Sequence, residues 1–386
     1  MLIHKVAQVI FLFVLTLYYL QGVIYSKGSI ISKGCVALVI LLSICYFVKT
    51  IMSKGVKVLF FKIWSLLLIL NIVYFVFTGD PNNHYHFEMI KGILMCMLPF
   101  YPFYYFVKTR ILTKAVLVRF FVFMVPVFIF KFYVERQLKI DSLQWRTENV
   151  VNNMSYLLVS LIPYVFLLRK NVVVSTVYLM ILFSVIVAGA KRGAIVCASV
   201  GVITYFYFQI KSTGNKNGIR NIFVLLISIF VITFSFVNEV MENDFVLKRI
   251  EETINGNLSG RSRMYYEVFQ YWLNSNNYIN LFFGFGFASS VHLIGDYAHN
   301  DWLEILSNFG LVGFTFYLLL FISMWKIYSK KYLIEEKRIV FFVAGVLWFL
   351  GTFFSIQYFS VHGFMYAILF AYAIGDIQFK GYNGFS

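Results

Sequence analysis

Apolar runs close to the ~20 residues that a helix needs to cross ~30 Å of hydrocarbon recur along the whole sequence. Lipid offers no water to the backbone N–H and C=O groups, so runs of this length must satisfy them internally as helices. Composition agrees: 60% of the 386 residues are hydrophobic, 13% are charged and the mean hydropathy is +0.78. A soluble globular fold is excluded, and an all-α polytopic membrane protein is expected. The twelve expected transmembrane helices lie at about 6–25, 34–48, 58–78, 89–107, 115–134, 151–168, 172–190, 193–210, 221–240, 301–325, 339–356 and 359–378. No period of 20 to 50 residues repeats, and no paired broken helices mark an inverted-repeat transporter. A single helical bundle over residues 1–386 is the expected organisation, with 241–300 as a long outer loop carrying candidate site residues.

The formal charge of +16 would suggest nucleic-acid binding in a soluble chain. Here the placement of the cations points elsewhere. With the N-terminus inside, 18 of the 33 Lys and Arg fall on cytoplasmic segments and 11 on outer ones, four of the latter on the long loop that weighs little in the orientation rule. Among the acids only Glu335, Glu336 and Asp376 face the cytoplasm. Both termini are therefore expected inside, and the basic excess is an orientation signal with a contribution to anionic lipid contact. Lys62, Lys91, Arg119 and Lys131 sit within spans, where a cation is costly without a partner. The first apolar run lacks a small-residue cleavage site and reads as an uncleaved span.

Cys35, Cys45, Cys96 and Cys197 fall within apolar spans, where a thiol behaves as a small hydrophobe; neither a disulfide nor a cysteine metal site is expected. Asp80, His84, His86 and Glu88 crowd one outer loop, but nothing in their spacing fixes a tetrahedral ligand set. No metal and no cofactor are expected.

Two outer connections are long, 135–150 and about 241–300, and long loops in compact bundles tend to be functional. The second begins with an acidic, polar stretch from Met241 to Asn257. Met264, Tyr265, Val268, Phe269, Trp272 and Leu273 then recur at three- and four-residue spacing, which predicts an amphipathic helix lying on the outer membrane boundary. Asn274-Ser275-Asn276-Asn277 ends it. The following patch, Leu281 to Phe287, is too short to span and is expected to fold back as a re-entrant or packed turn.

Three sets of residues have chemistry to offer. Lys191 and Arg192 occupy a tight outer turn flanked by small residues, either as snorkelling flank residues or as a site open to a bulky head group. Arg261 and Arg263 open the boundary helix, and guanidinium forks suit phosphate oxygens. If Arg192 and one of that pair converge, they form a pyrophosphate clamp. His299 precedes Asn300 and Asp301, either of which can cap the following helix. The positive end of that helix opposes protonation of the imidazole, which suits it to accept a proton from a sugar hydroxyl. Glu304, one turn on, is placed to orient or support the site.

These residues resemble those of the bacterial O-antigen polymerase and O-antigen ligase family of polytopic glycosyltransferases. The segment His299-Asn300-Asp301-Trp302-Leu303-Glu304 through Gly310-Leu311-Val312-Gly313 is similar to the family's His-Asn, Leu-Glu and Gly-Leu-x-Gly signature. Gly284-Phe285-Gly286 resembles its Gly-x-Gly turn. Gly260-Arg261 with Met264-Tyr265 resembles its Gly-Arg-x-x-aliphatic-aromatic element, Tyr265 standing where Trp is more usual. Lys191-Arg192-Gly193-Ala194 resembles Ser-Arg-Gly-Ala with Lys191 in place of Ser, and Asn152-Asn153-Met154-Ser155 a looser Asn-containing opening of a span.

The resemblance implies metal-independent transfer of a glycan from an undecaprenyl pyrophosphate carrier to a sugar hydroxyl on the periplasmic face of the inner membrane. It implies His299 as general base, Arg192 and Arg261 stabilising the departing pyrophosphate, and Arg263, Lys191, Glu304, Asn300 and Tyr265 in substrate binding. Direct displacement would invert the anomeric carbon. Expected partners are the lipid-linked oligosaccharide, membrane lipid, and a chain-length regulator and flippase of the same pathway, with no nucleic acid. The motifs do not separate a polymerase from a ligase that uses the lipid A core. The Phe-, Ile-, Tyr- and Asn-rich composition and short loops resemble the polymerases. A third reading, a flippase or transporter of lipid-linked oligosaccharide, predicts charges facing a cavity throughout the bundle and needs no outer histidine.

Overall fold

The structure is a computed structural model that describes residues 2–52, 58–143, 151–212, 261–329 and 333–377, with single positions at 227, 234, 237 and 251. The expected ninth span at 221–240, the acidic stretch 241–257 and Gly260 lie largely or wholly outside the described residues. Among the described residues every regular element is helical, apart from one isolated bridge between Gln21 and Tyr25.

In chain order the helices are α1 (Leu2–Tyr19), α2 (Ile30–Met52), α3 (Leu59–Thr78), α4 (His84–Met97), α5 (Phe100–Lys108), α6 (Lys114–Leu143), α7 (Ser155–Val159), α8 (Ile162–Val165) with a 3₁₀ turn Phe166–Leu168, α9 (Val172–Ala188) and α10 (Arg192–Ser212). Then come α11 (Arg261–Leu273), α12 (Tyr278–Phe283), α13 (Ser289–Ile294), α14 (Asp301–Ser329), α15 (Glu335–Phe354) and α16 (Gly363–Ile374). Among the described residues eight segments are long and apolar enough to cross a membrane, α4 and α5 counting as one, so the chain is a multi-pass membrane protein. Three expected spans are shorter. Residues 155–168 break into two helices and a 3₁₀ turn, with Pro163 and its missing N–H near the start of α8. The others are α9 and the 12-residue α16, about 18 Å long.

The chain divides into two compact units. The first comprises Met1–Leu38 and Arg110–Gly256. In it α1 packs on α6 through the Tyr19 and Phe128 rings, 4.8 Å apart. α9 and α10 join through the Tyr205 hydroxyl, 2.6 Å from Ser175 Oγ and 3.1 Å from Thr176 Oγ1. Tying these hydroxyls to one another satisfies them where water is absent. The in-span Lys131 also finds a partner, Glu135 Oε1 at 4.0 Å, which Lys27 approaches to 3.1 Å.

The second unit comprises Val39–Thr109 and Asn257–Ser386. Its core is aromatic: Trp64, Phe60, Phe100, Trp348 and Phe370 are buried against one another, with centroids of neighbouring rings 5.4 to 6.0 Å apart. Trp64 Nε1 donates to the Met97 carbonyl at 3.1 Å, which satisfies its one polar atom. Every residue of α16 is buried, and it packs against α4, α5 and α15. Within α4, Lys91 pairs with Glu88.

Candidate active site

Lys191 and Arg192 belong to the first unit. The turn that carries them is built by its neighbours: Asn152 N donates to the Gly189 carbonyl at 2.9 Å, and Asn152 Nδ2 to the Phe132 carbonyl at 2.9 Å. A Cβ at Gly189 would collide with Ser155 Oγ, so smallness there serves packing of the 152–155 segment. Ala190 takes φ 48°, in the left-handed region, and Arg192 begins α10. Lys191 Nζ lies 6.0 Å from the Tyr156 ring centre, a cation–π contact, and both cations are half-buried.

Arg261, Arg263, Tyr265, His299, Asn300 and Glu304 belong to the second unit, where the structure brings most of them together. The boundary helix expected from its apolar spacing is α11, and Asn274 follows it. Val268 and Trp272 anchor its inner face, Trp272 Nε1 donating to the Leu281 carbonyl at 3.2 Å. One turn apart on that helix, Arg261 Nη1 donates to the Phe354 carbonyl at 2.8 Å, and the Tyr265 hydroxyl lies 3.4 Å from the His299 carbonyl and 3.5 Å from that of Phe353. Burial pushes the Tyr265 phenol up, against the opposing charge of Arg261, so it keeps its proton and donates. Arg263, two positions along and ~200° round the helix, is 85% exposed and pairs with Glu267 Oε1 at 2.7 Å. The alternative between the two arginines therefore has a geometric answer: Arg261 lies with Tyr265 and His299, and Arg263 does not.

His299 takes φ 53°, a conformation that costs an L-residue ~1 kcal/mol. Its Nε2 lies 3.7 Å from Asp296 Oδ2. Asn300 is the cap: its Oδ1 accepts from Trp302 N at 3.0 Å and Leu303 N at 3.2 Å. Asp301 instead turns inward and is fully buried, with Oδ1 accepting from Gln357 N at 2.8 Å and Oδ2 from the Tyr317 hydroxyl. Glu304 is buried as well; one oxygen accepts from Ser290 Oγ at 2.8 Å and the other from Ala298 N. Glu304 thus holds the main chain one residue before the strained His299, and Asp301 fixes the start of α14 two residues after it.

Behind the site, Gly310 breaks α14 with φ 60° and ψ −156°. Carbonyls that a continuous helix would pair with residues 311 and 312 instead take partners from the packed turn after α12: Phe285 N donates to Ser307 O at 2.8 Å and Gly286 N to Asn308 O at 3.3 Å. A side chain at Gly284 would strike the Asn308 backbone, and one at Gly310 the Phe282 backbone. Asn308 Oδ1 accepts from both Ser289 N (2.8 Å) and Ser289 Oγ (3.0 Å), locking α13 to the same place.

The arrangement sets a guanidinium and a proton-holding phenol on the main chain of residues 354 and 299, the latter in a loop whose imidazole lies by Asp296 and which is followed by two buried carboxylates. Residues 177–318 match the family model described as O-antigen ligase. The O-antigen ligase match takes in Lys191, Arg192, Arg261, Arg263, Tyr265, His299, Asn300 and Glu304, and leaves Asn152 outside it. The match points to ligase- or polymerase-type function, a glycosyltransferase-like role. No curated protein matches the chain.

Sequence reasoning missed the supporting partners of Asp301. Tyr317 stands 16 positions along α14, ~24 Å away on an unbroken helix, and only the break at Gly310 folds its hydroxyl back to the carboxylate. Gln357 contributes through its main chain, in a turn (355–362) that reads from sequence as the edge of an apolar span. Backbone donors leave no residue-type signal.

Proposed function

We propose that the protein is an O-antigen polymerase, which moves a growing glycan from undecaprenyl pyrophosphate to a sugar hydroxyl of a lipid-linked repeat unit on the periplasmic face of the inner membrane. The observation that carries the reading is the docking of neighbouring Arg261 and Tyr265, the first on the Phe354 carbonyl and the second on the His299 carbonyl just before α14. His299 takes the proton of the acceptor hydroxyl, and the oxygen attacks the anomeric carbon. The bond from that carbon to the carrier oxygen breaks, and its electron pair leaves on the pyrophosphate. Attack opposite the leaving group inverts the anomeric centre. Asp296, 3.7 Å from Nε2, stabilises the imidazolium that forms. Arg261 stabilises the developing pyrophosphate charge. Tyr265 and Asn300 position the acceptor-binding surface, and Glu304 fixes the His299 loop. The residues named supply acid–base and charge stabilisation without a metal. A chain-length regulator and a flippase act in the same pathway, and both chain termini lie in the cytoplasm.

Polysaccharide length on a gel tests this, in a strain lacking the gene and complemented with the native chain or His299→Ala at equal membrane abundance. The expected result is a core bearing single repeat units in the deletion, a full ladder with the native chain, and no ladder with His299→Ala. A core without any repeat unit, alongside accumulated lipid-linked polymer, identifies a ligase instead. A ladder retained by His299→Ala removes the base assignment.

A further inference from the structure

α11 has a second working face. Arg261, Tyr265, Val268 and Trp272 turn into the second unit, whereas Tyr266, Gln270, Tyr271 and Asn274 line an open cleft of about 630 Å³ completed by Asn280 and Phe285. Of these cleft residues only Phe285, the middle position of the Gly-x-Gly turn, belongs to the motifs that suggested the family.

The cleft is aromatic and amide-lined, with almost no net charge. Tyr266 is 64% exposed and Tyr271 51%, and Tyr271 leans on Phe285 with ring centres 4.6 Å apart, which makes a firm aromatic wall. Among the described lining residues Glu267 alone is charged, and Arg263 Nε holds its carboxylate at 2.7 Å. The amides use only part of their capacity on one another. Asn274 Nδ2 donates to Gln270 Oε1 at 3.1 Å, which occupies one donor and one acceptor and leaves the Asn274 carbonyl and the Gln270 amino group to face a ligand. A phosphoryl group finds no cation here that is not already engaged, and an acyl chain would desolvate the amides without repayment. A sugar matches both parts: its C–H face covers an aromatic ring, and its paired hydroxyls meet groups that both donate and accept.

We infer that this cleft is a binding site for an uncharged oligosaccharide, one face round α11 from Tyr265, which retains the glycan between additions. The inference rests on the transferase reading for its role, though not for its chemistry. Retention raises the local concentration of the chain end at the reactive face, so its loss shortens the polymer without preventing the first bond.

The test uses the purified full chain in detergent and, as probe, delipidated surface polysaccharide released by mild acid from the producing strain, with binding read by saturation-transfer NMR titration. Tyr271→Ala and Asn280→Ala are each expected to weaken binding about fivefold, the worth of one neutral hydrogen bond or ring contact, while His299→Ala binds like the native chain. In cells both cleft variants are expected to shift the ladder to shorter modal length at native membrane abundance. Absence of binding by the native chain, or unchanged binding and length in both variants, overturns the site. Reduced membrane abundance in Tyr271→Ala with a neutral Asn280→Ala also overturns it, because the aromatics would then be boundary anchors. Glycan binding by a native chain that forms no polymer separates the two claims: the transferase reading fails and the cleft stands.

Discussion

At the residue scale, the carboxylates beneath His299 act through fixed acceptor geometry. Both oxygens of Glu304 accept, one from Ser290 Oγ and one from Ala298 N, so Glu304→Ala leaves the buried Ala298 N–H without its acceptor. A buried donor without an acceptor costs ~1–3 kcal/mol, and the melting midpoint of the detergent-solubilised protein is expected to fall accordingly. His362, in the 355–362 turn of the same unit, gives a pH signature. Burial pushes its imidazole down to about 3, while the unfolded chain titrates near 6.5. Between these values the unfolded state binds more protons, so stability is full above pH ~6.5 and declines as pH falls toward ~3. Melting curves from pH 7 to 4 are expected to drop more steeply for the native chain than for His362→Gln. The sequence made the residue types legible, but not their directions. The family resemblance puts Arg261 ahead of Arg263, but only the structure shows that one donates to a main-chain carbonyl and the other to a neighbouring glutamate.

At the element scale, the long apolar helices were legible because lipid dictates both their length and their composition, and α11 was legible because one face of it is buried and the other is not. The break in α14 was not. A Gly-x-x-Gly spacing in an apolar run reads as close helix packing, and nothing in it says that Gly310 will take a positive φ and hand two carbonyls to residues 285 and 286. Gly284 and Gly310 form one contact seen from two sides, so Gly284→Ala and Gly310→Ala are each expected to destabilise by ~1–3 kcal/mol. The double variant is expected to cost well under the sum, since the second substitution breaks what the first has already opened. Limited proteolysis at 278–300 reports the loss directly.

At the scale of the whole molecule, exposed apolar side chains along α1, α2 and α3 and the bias of cations toward alternate connections describe a chain threaded many times through a bilayer. Asp296→Cys on the His299 loop is expected to react with a membrane-impermeant maleimide in intact spheroplasts, and Lys108→Cys only after lysis. The reverse pattern would invert the orientation and place the site on the wrong side for an exported glycan. The twelve-span expectation also shows what hydropathy alone cannot weigh: α16 is as apolar as a lipid-facing helix, yet it is buried throughout by protein, and apolarity does not say which solvent a helix avoids.

Arg261 and Tyr265 are held by the peptide oxygens of residues 353, 354 and 299. Every amino acid carries such an oxygen, so the moorings of the reactive face are indifferent to spelling at those positions and sensitive only to the count of residues between them. Lineages of this chain are then free to rewrite Phe353 and Phe354 while remaining unable to lengthen or shorten the segment by one, and the signature of the site in a set of relatives would be a conserved spacing instead of a conserved letter.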